Sequence, residues 1–199
     1  MMENHSFPAH VLRNFVTTLS EEIGQGTFAA VLSNEGLPEE WAVPSYYNNL
    51  DPERAAQMYP LLQSALRTYY GRGARGALLR IGSRLWNRLL DDSSLGIKAQ
   101  ATLVRSLPQF MRRKPALELL ARILGGGISV HTLDLDLLLV DRSSPVTHDP
   151  NDVAPVCVVT LGLIRECLFW ADGQEHDIEE RSCRAMGASQ CEFKINIGG

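Results

Sequence analysis

The nine residues from Cys183 to Cys191 constrain the fold of this chain more than any other segment. They join two alternating apolar runs, 177–185 and 191–197, and Gly187 lies midway between the two cysteines. This pattern predicts a β-hairpin. If the strands pair about Gly187, the side chains of Cys183 and Cys191 share one face within about 5 Å of each other. Such a pair forms a disulfide, half of a metal site, or part of an ordinary core.

The other two cysteines lie in a predicted apolar helix that begins after Pro155. Cys157 and Cys167 are ten residues apart, which corresponds to roughly 15 Å along a helix, so they cannot bind one ion. Cys157 lies at the helix N-terminus, where a thiolate is favoured, whereas Cys167 is expected to be a small buried core residue. The candidate metal ligands are therefore Cys157, Cys183 and Cys191, and a tetrahedral structural zinc site needs a fourth.

Composition bounds the class of protein. A chain of 199 residues with 45% apolar and 21% charged residues is expected to be one soluble domain, spanning residues 1–199. No apolar run approaches the length of a membrane span, and the N-terminus lacks the pattern of a signal peptide, so we expect a cytoplasmic protein. Four cysteines are too few for a disulfide scaffold of this size.

Charge is distributed unevenly. From Arg67 to Arg122 there are twelve Lys and Arg and three Asp and Glu, a net charge of +9 in a chain whose net charge is −4. These residues are either solvated helix faces that complement acidic segments or a site for an anionic partner such as a ligand carboxylate. Nucleic acid is not an expected partner, because the arginines are spread over helices without interleaved exposed aromatic residues.

Apolar spacing predicts helices over about 8–23, 27–34, 51–70, 95–107 and 114–124. The glycines of 71–76 match the letters GxGxxG, but a helix precedes them where a dinucleotide site requires a strand. We expect Gly76, Gly82 and Ser83 instead to permit close helix packing, next to an apolar run that includes Trp86.

The run 129–140 alternates and predicts one half-buried strand. The fold class is therefore α+β, with N-terminal helices (about 8–124) packed on a small C-terminal antiparallel sheet formed by a strand, a helix and a hairpin (about 128–197).

Several of these segments resemble the 4-vinyl reductase domain family: residues 157–162, the motif from Glu180 to Gly187, and the run Cys191–Ile195, with weaker similarity over 28–37 and 70–84. That family is related to vesicle-tethering subunits and to haem-based nitric oxide sensor domains. The resemblance implies a usually dimeric ligand-binding domain with an apolar pocket between helices and sheet. It also implies a zinc ion held by three cysteines, matched by Cys157, Cys183 and Cys191, and by an acid that falls near Asp136, with Asp134 as a substitute.

The leading functional expectation is a non-enzymatic domain that captures a hydrophobic small molecule or a tetrapyrrole intermediate of bacteriochlorophyll synthesis, as carrier or sensor. The expected pocket residues are aromatic residues and arginines of the basic middle: Tyr70, Arg72, Arg80, Arg84, Trp86, Phe110 and Trp170. An 8-vinyl reductase is the alternative from the family name, but no hydride-donor site is recognisable. A ligand-free protein-interaction module is the third possibility.

Overall fold

The computed structural model describes residues 7–146 and 155–197. Within these ranges the chain forms a run of helices, then a strand hairpin, one more helix and a second hairpin. The helices are α1 (Ala9–Ile23), α2 (Gln25–Asn34), α3 (Pro52–Tyr70), α4 (Ala74–Asp91), α5 (Leu95–Ser106), α6 (Arg113–Leu124) and α7 (Val158–Asp172). The strands are β1 (Ile128–Leu133), β2 (Asp136–Asp141), β3 (Asp177–Ser182) and β4 (Cys191–Asn196).

The four strands form one antiparallel sheet in the order β1-β2-β4-β3, which confirms the α+β class. The prediction of a single strand over 129–140 is wrong, because the chain reverses at Asp134 and Leu135 to form the β1–β2 hairpin. Apolar alternation continues through both strands and conceals the turn. The turn depends on Asp134, whose φ of 54° lies in the left-handed region that short polar side chains tolerate.

Helix α7 is packed between the other helices and the sheet, and its closest neighbour is α4. Gly82 of α4 faces Gly162 of α7, and a Cβ atom added to Gly82 would lie 2.2 Å from the carbonyl oxygen of Val159. The predicted close packing at Gly82 is confirmed. Gly76 is exposed, so that part of the prediction is wrong: its helix position faces solvent and the side chain of Arg80.

The C-terminal end of α7 is fixed by a buried carboxylate. Asp172 accepts hydrogen bonds from Arg113 Nε at 2.6 Å and from the backbone N–H of Gln174 at 3.0 Å, and its carboxylate lies 2.9 Å from His176 Nε2. Arg112 also donates to the Ala171 carbonyl at 3.3 Å. These cations complement the negative end of the helix dipole.

In the part of the chain that the structure describes, no helix combines the length and the apolar character needed to cross a membrane.

The Gly82–Gly162 contact predicts that Gly82→Ala destabilises the protein. The new methyl group would overlap backbone atoms of α7, and the helices would have to separate. We expect the free energy of unfolding to fall by about 2–3 kcal/mol, measured by urea denaturation. The control is Gly26→Ala in α2, where the added Cβ meets nothing within 4 Å and helix propensity should favour alanine. Equal effects of the two substitutions would contradict the close approach.

A second prediction concerns Asp172→Asn. Burial opposes ionisation, but the hydrogen bonds from Arg113, Gln174 and His176 prevail and lower the pKa of Asp172 below its ordinary value. A lowered pKa contributes stability above the unfolded-state pKa and loses it as the pH falls. We therefore expect the substitution to cost about 3 kcal/mol at pH 7 and progressively less below about pH 4.

The control is Glu175→Gln, which removes the exposed Arg165–Glu175 pair from the same end of α7. Exposed pairs contribute about 1 kcal/mol or less, so this change should be small. A loss for Asp172→Asn that is no larger than the control, or that does not depend on pH, would exclude the buried cluster as an anchor of α7.

Candidate metal centre

Three cysteines from separate elements converge on one point. Cys157 immediately precedes α7, Cys183 follows β3, and Cys191 begins β4. The sulfur of Cys157 lies 3.7 Å from that of Cys183 and 3.4 Å from that of Cys191. Ligands at the Zn–S bond length of about 2.3 Å in a tetrahedron are about 3.8 Å apart. The sulfur separations therefore fit a single tetrahedral ion.

The β3–β4 hairpin places Cys183 opposite Cys191 for the reason predicted from the sequence. Ser182 pairs with Glu192, and the connection turns at Gly187, whose φ of 86° lies in the left-handed region. The backbone N–H of Arg184 donates to the Cys191 sulfur at 3.4 Å, which favours a sulfur carrying negative charge. The three cysteines are buried, with at most 3% of any of them exposed.

Glu180 completes a four-residue group. One ligand atom from each of Cys157, Glu180, Cys183 and Cys191 can be chosen so that all four lie within 4.8 Å of one another. One oxygen of the Glu180 carboxylate is buried and has no hydrogen-bond partner among the described residues. An unpaired buried carboxylate oxygen facing three sulfurs is the donor set expected around a divalent cation.

A β-bulge explains how Glu180 reaches the sulfurs. Residues three apart on a regular strand point to opposite faces, so Glu180 and Cys183 would not meet. The pairing of β3 shifts register between Glu180 and Ser182, which inserts one extra residue. Glu180 pairs with the buried Phe193 and therefore lies on the inner face of the sheet, as Cys183 does.

The predicted fourth ligand, Asp136, is corrected by this geometry. Asp136 begins β2, whereas Asp141 at the other end of β2 pairs with Cys191, about 17 Å away along the strand. The Asp136 carboxylate lies 2.9 Å from Lys194 Nζ and accepts a hydrogen bond from the Ile197 N–H at 3.0 Å. The substitute Asp134 is exposed at the β1–β2 turn and is also excluded.

The electrostatics of the group favour a cation. Burial and the hydrogen bond with Cys183 raise the pKa of Glu180 to about 8. Hydrogen bonds with Cys183 and Cys191, together with burial, raise the pKa of Cys157 well above its ordinary value, whereas hydrogen bonds from Cys157 and Cys191 lower the pKa of Cys183. Only one of the four groups ionises readily, because each negative charge opposes the next. A divalent cation would allow all four to ionise together.

Cys167 takes no part in the group. It is fully buried on α7, and its sulfur donates to the Ala116 carbonyl at 3.3 Å. The prediction of a small buried core residue is confirmed.

The predicted ligand-pocket residues occupy several environments. Arg80 and Arg84 form ion pairs with Glu22 at 2.6 and 2.8 Å and line an open groove of about 380 Å³ between α4 and α7. The predicted aromatic residues are absent from its described lining, where Phe169 is the aromatic member. Much of the basic surplus on α4 is thus paired with α1, since Arg88 likewise contacts Glu21.

The remaining predicted pocket residues lie away from this groove. Trp86 is fully buried in α4, and its ring contacts that of Trp170 edge to face at a centroid distance of 5.5 Å. The Nε1 atom of Trp86 has no hydrogen-bond partner among the described residues. Tyr70 is half-buried at the end of α3, the neighbouring Arg72 is exposed, and Phe110 is 74% exposed.

Comparison with solved structures identifies the fold as that of H-NOX proteins. The Fe(II) unliganded H-NOX protein from K. algicida shares 13% identity, with 96% of each chain covered and a TM-score of 0.55. An H-NOX protein from S. oneidensis in the Fe(II)NO ligation state shares 14% identity, with 94% of this chain and 99% of that chain covered and a TM-score of 0.50. These identities show a shared fold alone.

The C-terminal part of the chain matches the family model of the 4-vinyl reductase domain over residues 140–197. This match includes all four members of the candidate metal group and confirms the resemblance seen in the sequence. The phenol-responsive sensory domain of the transcription activator PoxR, solved with phenol, is also similar, with 16% identity over 70% of this chain and 72% of that chain and a TM-score of 0.49. Comparison with curated protein sequences gives no match.

The geometry predicts that Glu180→Gln weakens metal binding. A neutral amide cannot supply the fourth charged ligand, and even the loss of an outer-shell partner costs 10–100-fold in affinity. We expect a loss of at least about 100-fold, measured by competition with a chromophoric chelator.

The matched control is Asp136→Asn, which neutralises the carboxylate first expected to bind the ion. It should leave metal affinity unchanged. A larger loss for Asp136→Asn than for Glu180→Gln would contradict the assignment of the fourth ligand.

Proposed function

We propose that this chain is a non-enzymatic domain that binds a hydrophobic small molecule, as a sensor or carrier, and that a structural zinc ion holds its C-terminal sheet. The observation that carries ligand binding is the buried Trp86 Nε1–H, which has no acceptor among the described residues. A buried donor without a partner costs about 1–3 kcal/mol, which an acceptor atom on a bound molecule would recover. The shared fold with H-NOX proteins supports the same proposal.

The chemistry of this donor defines the ligand class. Trp86 and Trp170 offer aromatic surface, and the single N–H calls for one carbonyl, hydroxyl or carboxylate oxygen. A tetrapyrrole precursor combines a large apolar ring with carboxylates and falls within this class. Its carboxylate would have to compete with Glu22 for Arg80 and Arg84, so the indole N–H is the better candidate contact.

The zinc part of the proposal is supported by the donor set. Three thiolates and a carboxylate supply the four positions of a tetrahedron, and a closed shell leaves no position for a substrate. The ion would therefore stabilise the fold rather than activate a reactant, which argues against an 8-vinyl reductase that works through this site. Reduced thiols are required, so we place the protein in the cytoplasm, where the family resemblance suggests a homodimer.

The test is titration of the purified protein with a protoporphyrin-type pigment and, separately, with phenol, followed by absorbance and tryptophan fluorescence. We expect saturable binding at micromolar concentration to one of these probes. Trp86→Phe should weaken it by about tenfold, because one hydrogen bond is lost while the ring remains.

The matched control is Trp41→Phe, which changes a buried tryptophan outside α4. Binding should be unchanged by the control, and metal content should be unchanged by both variants. Absence of binding to either probe would leave a ligand-free interaction module, and reduction of the pigment when a reductant is added would establish an enzyme instead.

A further inference from the structure

The outward face of α5 is unusually apolar for a helix on the protein surface. Only Ala101 and Val104 of this helix are buried, whereas Leu95 is 85% and Leu103 is 66% exposed. At 100° per residue, Leu95, Ala99, Thr102 and Ser106 point away from the buried side, and none of them is charged. Exposed helix faces in water normally carry charged residues.

The apolar character continues past the end of α5. Phe110 is 74% and Met111 is 50% exposed in the short 3₁₀ turn Gln109–Met111 that leads to α6. We call the side chains of Leu95, Ala99, Leu103, Phe110 and Met111 the α5 surface. Contiguous exposed apolar side chains of this kind mark a site that contacts another molecule or a membrane.

The segment that carries the α5 surface is basic. Residues 93–117 contain five Lys and Arg and no Asp or Glu, in a chain whose net charge is −4. Arg113 is neutralised by Asp172. The other four contact no carboxylate among the described residues: they are Lys98, Arg105, Arg112 and Lys114.

The position of these cations matters. Lys98 and Arg105 are seven residues apart and so lie on one side of α5, next to its outward apolar face. Arg105 donates to the Trp170 carbonyl at 3.1 Å, a contact that leaves its positive charge uncompensated. The nearest acids in sequence are Asp92, which is paired with Arg13, and the exposed Glu118 of α6.

A second copy of the chain does not fit this surface. A two-fold dimer sets identical patches against each other, which would bring four uncompensated positive charges toward four more. The apolar side chains also project from a convex helix rather than lining a groove that would receive a partner's side chains. Apolar side chains flanked by Lys and Arg are instead the pattern of helices that lie in the interface of an anionic bilayer.

We infer that the α5 surface docks this protein on a membrane that contains anionic lipid. Leu95, Leu103, Phe110 and Met111 would enter the boundary between headgroups and acyl chains. Lys98, Arg105 and Lys114 would contact the anionic headgroups. Helix α5 would lie on the membrane rather than span it.

The experiment is co-sedimentation of the whole chain with vesicles of phosphatidylcholine alone and with vesicles that also contain phosphatidylglycerol. We expect at least about tenfold stronger partitioning to the anionic vesicles, reduced by added salt. The double variant Leu103→Ser, Phe110→Ser should lose at least about tenfold. Its control is Leu61→Ser, which removes a leucine that is 48% exposed on α3 and should change nothing.

Charge is tested separately with Lys98→Gln, Lys114→Gln, which should weaken binding to anionic vesicles by about tenfold while leaving weak binding to neutral vesicles unchanged. The control pair, Arg54→Gln, Arg165→Gln, removes the same charge from positions outside α5 and should have little effect. Circular dichroism of each variant checks that it folds.

Several outcomes would overturn the inference. These are failure to bind either kind of vesicle, equal binding to neutral and anionic vesicles, and losses for the control variants as large as those for the α5 variants. A dimer that forms without vesicles and is abolished by Leu103→Ser, Phe110→Ser would show that a second copy covers the surface instead.

Discussion

The structure depends on how four acidic groups can share one buried space. Cys157, Glu180, Cys183 and Cys191 come from a helix start and from both strands of a hairpin, and three of them are almost fully buried. Their negative charges oppose one another, which is why the pKa values of Cys157 and Glu180 are raised. A divalent cation converts this repulsion into a bond between elements that are distant in sequence.

Helix α7 is the element that this bond positions. Its N-terminus lies at the candidate metal centre, its middle contacts α4 through Gly82 and Gly162, and its C-terminus is fixed by Asp172 and Arg113. Three independent contacts along 15 residues leave the helix little freedom to shift. Trp170 on the same helix contacts Trp86, so the proposed ligand donor lies next to an element held at both ends.

Local signals predicted most of the fold. The N-cap residue Asp51, the helical spacing of the apolar residues and the glycine between two cysteines each act over a few residues, and each predicted its element correctly. Cys157 was predicted as a ligand because it marks a helix start. The β1–β2 hairpin escaped prediction because its turn uses Asp134 rather than glycine, within an unbroken alternation.

The fourth ligand escaped prediction for a similar reason. A regular strand would direct Glu180 and Cys183 to opposite faces, and only the bulge between Glu180 and Ser182 brings them together. The sequence signal that points to it is a glutamate three residues before a cysteine, but its meaning depends on pairing with β4. The missing partner of Trp86 Nε1 among the described residues also has no local signature, because it results from how α4 packs in three dimensions.

X-ray absorption at the zinc edge tests the proposed metal centre most directly, because it reports the type and number of atoms around the ion. We predict three sulfur ligands at about 2.3 Å and one oxygen at about 2.0 Å, with no further ligand from solvent. A shell made only of nitrogen and oxygen atoms, or zinc with fewer than three sulfur ligands in fully reduced protein, would contradict the proposal that a metal ion joins α7 to the β3–β4 hairpin.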